Sequence, residues 1–270
     1  MVVSHNYYAT QHKGHAMGHF IDVTQDGPVT ILTINRSDKR NAMSDGLLAE
    51  IDGFFHTPPD GTRVVIITGR GGHYCAGLDL SEHKSRDAEA TMHHSRGWHA
   101  VMDRIQTGGL PVVSAMTGAV IGGGLELATS THVRIAEPSC IFQLPEGRRG
   151  IFVGGGATVR VARIIGPDRM TEMMLTGRKY GTDDAVAMGL AHYAVGEGEG
   201  LPKALEIAHQ IAGNAGLSNY MMIQGIARIN DMGRADGLFA ESLCAALSQT
   251  SPDAQEGLAA FLEKRQPTFR

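Results

Sequence analysis

The sequence predicts an α/β fold that ends in a helical region, and three observations predict it. Two nearly continuous apolar runs, residues 63–69 (RVVIITG) and 110–115 (LPVVSA), have the length and composition of strands buried on both faces. Helical patterns alternate with such runs, which favours parallel pairing and right-handed crossovers. Beyond Gly196 the pattern is helical throughout, over 201–212, 217–230, 237–248 and 252–264.

The elements follow in order. Residues 1–19 hold His5, His12, His15 and His19 at irregular spacing without a continuous apolar run, so they read as a flexible extension and not as a secretory signal. Residues 20–35 alternate apolar and polar around Asp26-Gly27, the pattern of a β-hairpin. Ser44, ahead of DGLLAEIDGFF, supplies a helix N-cap and an apolar stripe. After strand 63–69 comes a glycine-studded loop, RGGHYCAGLDL, then a helix over 96–106 and strand 110–115. A short helix is predicted at 168–176 (DRMTEMMLT), and GEGEG from Gly196 reads as a joint. These boundaries divide the chain into an extension (1–19), a core (20–195) and a helical appendage (196–270).

Composition narrows the function. The chain has 270 residues and a net charge of −4, so it offers no basic field to nucleic acid or to an anionic membrane. Cys75, Cys140 and Cys244 are odd in number and widely spaced, which fits reduced thiols in a cytoplasm and neither a disulfide framework nor a zinc site. No stretch approaches the roughly 18 apolar residues of a membrane span.

The chemistry concentrates between Gly118 and Glu146. Gly122, Gly123 and Gly124 follow an apolar run and precede LELATS, so they mark a loop opening a helix, where bare backbone lets a ligand approach free N–H groups. That is the raw material of an oxyanion hole. Glu126 falls on the first helical turn, where a carboxylate is also simply a favourable partner of the helix dipole. Glu146 sits in LPEG, a turn sequence in which a glutamate is ordinarily solvated. Gly154, Gly155 and Gly156 belong to no Walker pattern, and both glycine clusters fail GxGxxG, at Val159 and at Leu127. His93, His94 and His99 read as surface residues of a helix, and Ser114 and Ser130 lack a GxSxG elbow.

Set in order, YCAGLDL, LPVVSAMTGAVIGGGLELA and FQLPEG, with NRSDKRNAMS before them and LTGRKYGTDDAVAMGLAHYAV and FLEKRQPTF after, resemble the crotonase superfamily over residues 20–269. The resemblance is specifically to its enoyl-CoA hydratases. It implies a spiral of ββα units with a C-terminal helical region that builds trimers, usually paired into hexamers. It implies an oxyanion hole from the backbone amides of Leu78 and Gly123, and two catalytic glutamates, Glu126 as base and Glu146 as acid. Isomerases of the superfamily often lack the first glutamate, so the retained pair favours water addition to an acyl-CoA. CoA itself would lie against the Ala76 to Asp79 loop, with Lys39, Arg40 and Lys264 as candidates for its phosphates, and no metal or redox cofactor is implied. The run LPEGRRGIFVGGGATVRVARIIG, with GLELA before it and MMLTGR after it, is more similar to methylthioacryloyl-CoA hydratases than to fatty-acid hydratases, and Phe152 and Val153, in place of an expected Ile-Pro pair, set its acyl pocket apart from an ordinary hydratase's. Double-bond isomerisation, decarboxylation or a non-catalytic RNA-binding role are the rival expectations within the fold.

Overall fold

Residues 20–82 and 85–269 are described by a computed structural model of the chain. The histidine-containing extension, 1–19, lies outside the described residues. The strands are β1 (Ile21–Asp26), β2 (Val29–Ile34), β3 (Val64–Gly69), β4 (Val112–Met116), β5 (Ala119–Ile121), β6 (Val133–Ala136), β7 (Ile141–Gln143) and β8 (Tyr193–Ala194). The first seven helices are α1 (Asp45–His56), α2 (Ala88–Thr107), α3 (Gly123–Thr129), α4 (Ala157–Ile165), α5 (Pro167–Thr176), α6 (Thr182–Met188) and α7 (Gly200–Ala212). Three more close the chain, α8 (Gly216–Ile229), α9 (Arg234–Gln249) and α10 (Pro252–Glu263).

The main sheet has the order β1-β2-β3-β4-β6-β8. The β1-β2 hairpin is antiparallel, as its Asp-Gly turn predicts, and every later pairing is parallel. The apolar run of β3 is explained by its two faces. Val65 and Ile67 point into the larger core with Leu32, Ile51, Met102 and Val112, whereas Val64 and Ile66 point into a second core. Successive strand side chains alternate in direction, so a strand covered on both sides has no polar position to spare.

The second core is closed by α7, whose Ala204, Ile207, Ala208 and Ala212 pack on Val29, Val64, Ile66, Val113 and Ile135. The change of composition at Gly196 therefore falls inside the packed unit, because α7 lies on the sheet. Of the remaining helices, α8 packs on α2 and α9, and α10 packs on α9. Two further differences concern helices. The one predicted over 96–106 begins earlier, at Ala88, where the Asp87 side chain accepts the Ala90 N–H. The short α6 was not legible, since Thr182-Asp183-Asp184 carries only a few apolar positions after it. Among the described residues, no helix is long and apolar enough to cross a membrane.

Candidate active site

The site is assembled by a second, two-stranded sheet. Strands β5 and β7 run parallel with Ile121 opposite Gln143, and the Gly122 N–H donates to the Gln143 carbonyl at 2.9 Å. The chain leaving β5 turns at once into α3, while the chain leaving β7 reaches Glu146 three residues later. Glu146 thereby arrives beside Gly122: a Cβ at Gly122 would stand 2.7 Å from its Oε1. Gly122 also has φ 53° and ψ −120°, a conformation that a side chain resists.

The Cys75 loop lies on the other flank of β5. Cys75 N–H donates to Ala119 O and Ile121 N–H to Cys75 O, at 2.8 and 3.1 Å. This brings Leu78 opposite Gly123. A Cβ on Gly77 would sit 2.7 Å from the Ile121 carbonyl and 3.3 Å from the Gly123 nitrogen, and one on Gly123 would sit 3.6 Å from the Leu78 nitrogen. Met43 N–H donates to Gly77 O and Asp79 N–H donates to Met43 O, so the intervening Leu78 N–H points away from that bridge. Gly123 is the first residue of α3, so its N–H is one of the donors that a helix leaves without an intrahelical partner. The two amides predicted to act together are neighbours in space.

Glu126 lies one turn further along α3, only 4% exposed. Its Oε1 accepts the N–H groups of Gly155 and Ala157 at 2.7 and 3.1 Å. The second glycine cluster is thus a clamp for the first carboxylate. Burial raises the Glu126 carboxyl above its ordinary range, against the opposing pull of the Ala157 and Gly155 amides and of the Arg160 charge. Glu146 opens a short 3-10 turn (Glu146–Arg149) and is 8% exposed, so the loop carboxylate expected to be solvated is buried. Burial, with the Glu126 charge as a smaller contribution, pushes its carboxyl up to about 7. Its Oε2 has no hydrogen-bond partner among the described residues.

The sequence did not single out Trp98, although it is the chain's one tryptophan. It projects from α2 in step with Val101, Met102 and Ile105, and its ring edge would stand 2.8 Å from a Cβ at Gly123 and 3.0 Å from one at Gly155. The indole thereby walls the space between the Gly123 backbone and the clamp. Nor is His94 a surface residue: its side chain is 13% exposed and its Nε2 lies 2.7 Å from Asp45 Oδ1.

The candidate CoA residues fall into different settings. The Ala76 N–H donates to the Arg40 carbonyl at 3.0 Å, which joins the early motif to the Ala76 to Asp79 loop. Lys39 and Arg40 are both exposed on that side, and Lys39 Nζ donates to Ser81 Oγ at 3.2 Å. Asp79 is buried, its Oδ2 paired with Arg36 at 3.0 Å and its Oδ1 accepting from the Ser81 N–H and hydroxyl, so its side chain ties the loop down. Lys264 is exposed at the end of α10, an element packed on α9.

A family model described as enoyl-CoA hydratase/isomerase matches residues 24–270. The 2,3-dehydroadipyl-CoA hydratase of Escherichia coli is 30% identical over 250 residues, covering 92% of this chain and 97% of the relative. The mevalonyl-coenzyme A hydratase of Aspergillus fumigatus is 30% identical over 248 residues, covering 90% and 91%. A solved structure from Rhodopseudomonas palustris superposes with a TM-score of 0.88 at 45% identity, covering 91% of this chain and 95% of that one. The enoyl-CoA hydratase of Bacillus anthracis superposes with a TM-score of 0.87 at 32% identity, covering 93% and 98%. With the fold, the motif order and these likenesses in agreement, the chain belongs to the enoyl-CoA hydratase/isomerase family of the crotonase superfamily.

Proposed function

We propose that the chain adds water across the α,β double bond of an acyl-CoA thioester. One observation carries this reading: two buried carboxylates of unequal environment lie beside two neighbouring amides that have no backbone partner among the described residues. In the reaction, electron density moves onto the thioester oxygen, and the Leu78 and Gly123 N–H groups stabilise it there. Loss of one such donor typically costs about 2.7–4 kcal/mol of barrier. Glu126, clamped by two amides, is the base that takes a proton from water. Glu146, whose carboxyl burial raises to about 7, is the acid that delivers a proton to Cα, with the buried Oε2 left without a hydrogen-bond partner of its own among the described residues. The roles reverse in dehydration. Two like charges in one buried site do not ionise together, which is the physical reason for a single shared proton.

The relatives act on different acyl groups, so the acyl part is argued from this chain. Trp98 crowds the glycine cradle and favours a short acyl group, in keeping with the methylthioacryloyl thioester suggested by the 144–166 run. CoA is part of the substrate, and the chemistry calls for no resident metal or redox cofactor. Lys39, Arg40 and the Ala76 to Asp79 loop would receive it, with Lys264 supplied by a neighbouring subunit of a trimer or hexamer. Three cysteines free of disulfides support a cytoplasmic setting.

The test is loss of enoyl-thioester absorbance with crotonyl-CoA and with methylthioacryloyl-CoA, in the wild type and in Glu126→Gln and Glu146→Gln. Removal of either general acid or base lowers turnover by about 10²–10⁴-fold. Turnover that survives Glu126→Gln points instead to isomerisation or decarboxylation. No turnover of either thioester by the wild type overturns the hydratase reading.

A further inference from the structure

The proposed steps make no use of Arg160, a cation only 8% exposed on α4. Every arm of its guanidinium is held. Nε donates to Gln106 Oε1 at 2.7 Å, one terminal nitrogen pairs with Asp103, and the other donates to the Gly155 carbonyl at 3.3 Å. Gly155 is also the residue whose N–H binds Glu126, and Ala157, the second clamp donor, stands three residues before Arg160. Arg160 therefore grips the turn that grips the carboxylate.

The charges around this assembly are few. From α2, Asp103 pairs with Arg160, but its side chain is 66% exposed, so water screens much of its charge. His99, also on α2, is held below its ordinary pKa by burial and by the charges of Arg96 and Arg160, and so brings no competing cation near neutrality. Arg163 faces Arg160 from the same helix, and Glu146 faces Glu126 from the 3-10 turn, with Arg149 beside it. Of the cations, Arg160 acts on Glu126 and Arg149 on Glu146, and of these two Arg160 is the buried one.

We propose that Arg160 is a positioning residue: by holding the Gly155 to Ala157 turn and setting a buried positive charge behind Glu126, it directs the shared proton to Glu146 and so decides which carboxylate is base and which is acid. This deepens the two-carboxylate reading and rests on it.

The experiment follows the two carboxyl groups directly. Protein labelled with carbon-13 at the glutamate carboxyls is titrated by NMR, with Glu126→Gln and Glu146→Gln assigning the two signals. In Arg160→Met the Glu126 midpoint rises by about one pH unit or more, and the Glu146 midpoint falls as the proton redistributes. Arg160→Lys, which keeps the charge without the fork, restores most of the Glu126 midpoint. Asp103→Asn leaves the exposed side of the pair uncharged and the arginine in place, so the Glu126 midpoint moves down. A purely structural role lowers thermal stability and leaves both midpoints at wild-type values in Arg160→Met; that result overturns the proposal. If Arg160→Met does not fold, Arg160→Gln, which can still donate to the Gly155 carbonyl but carries no charge, decides: an unmoved or lowered Glu126 midpoint overturns the proposal, a raised one supports it. The hydratase reading fails separately, in the turnover assay, because the midpoints are read without substrate.

Discussion

Glu146 has a measurable consequence for the folded state, apart from the acid role proposed for it. Its carboxyl rises from an ordinary 4.5 to about 7 on folding, so between those pH values the folded chain holds a proton that the unfolded chain has released. Stability then falls as pH rises through this window. At about 1.4 kcal/mol per pH unit, the loss is about 3 kcal/mol. Chemical denaturation at pH 4.5 and pH 8 should show the decline, and Glu146→Gln should remove its own share, leaving that of Glu126, whose carboxyl burial also raises. An equal slope in the variant would assign the effect to other groups. If Glu146 is the acid, hydration should decline as pH rises through about 7, where its protonated form disappears from the folded chain. The residue type and position of this glutamate were legible in FQLPEG, through the resemblance. Its burial was not, because a turn sequence such as LPEG carries no signal of what packs over it.

Between the elements, the decisive contact is the parallel pairing of β5 with β7. Each contributes three residues, too few for a periodic pattern to declare itself, yet this register sets Gly122 against Glu146. Gly122→Ala tests the arrangement. A side chain at φ 53° is strained, and its Cβ would press on the Glu146 carboxylate. The expected result is a loss of about 1–3 kcal/mol of stability with a fall in kcat larger than any change in KM. A variant that keeps wild-type kcat would show that the carboxylate does not need this backbone to be bare. The triple glycine was visible in the sequence as a loop opening a helix. The second cluster was visible only as a failed nucleotide motif, because its purpose is to hold Glu126, a partner 29 residues away.

For the molecule as a whole, the sheet and α1 to α7 form a unit with two cores, and α8 to α10 leave a broad apolar surface. Leu238, Phe239, Leu243, Leu247, Leu258, Phe261 and Leu262 are each more than half exposed. Such a surface is characteristic of an interface, in keeping with the trimer or hexamer expected from the resemblance. Leu243→Asp together with Phe261→Asp should lower the mass seen by sedimentation without disturbing the far-ultraviolet circular dichroism. An unchanged mass would place the contact elsewhere. The sequence marked the helices of this region accurately but set its start at Gly196. Ala204, Ala208 and Ala212 are small residues whose spacing does not say whether they meet a sheet or solvent, and α7 proved to be part of the core.

By itself the sequence determined the α/β class, the hairpin, the buried strands, the capped helix at Ser44 and, through the order of its motifs, the family. These are properties of local periodicity, turn chemistry and short motifs read along the chain. Only the tertiary structure decided that Glu146 is buried, that Glu126 is clamped by Gly155 and Ala157, that Trp98 walls the site and that Arg160 stands behind it. Each of those depends on residues far apart in the chain meeting where water is excluded. Proton affinity and space are set by that exclusion, which no local pattern records.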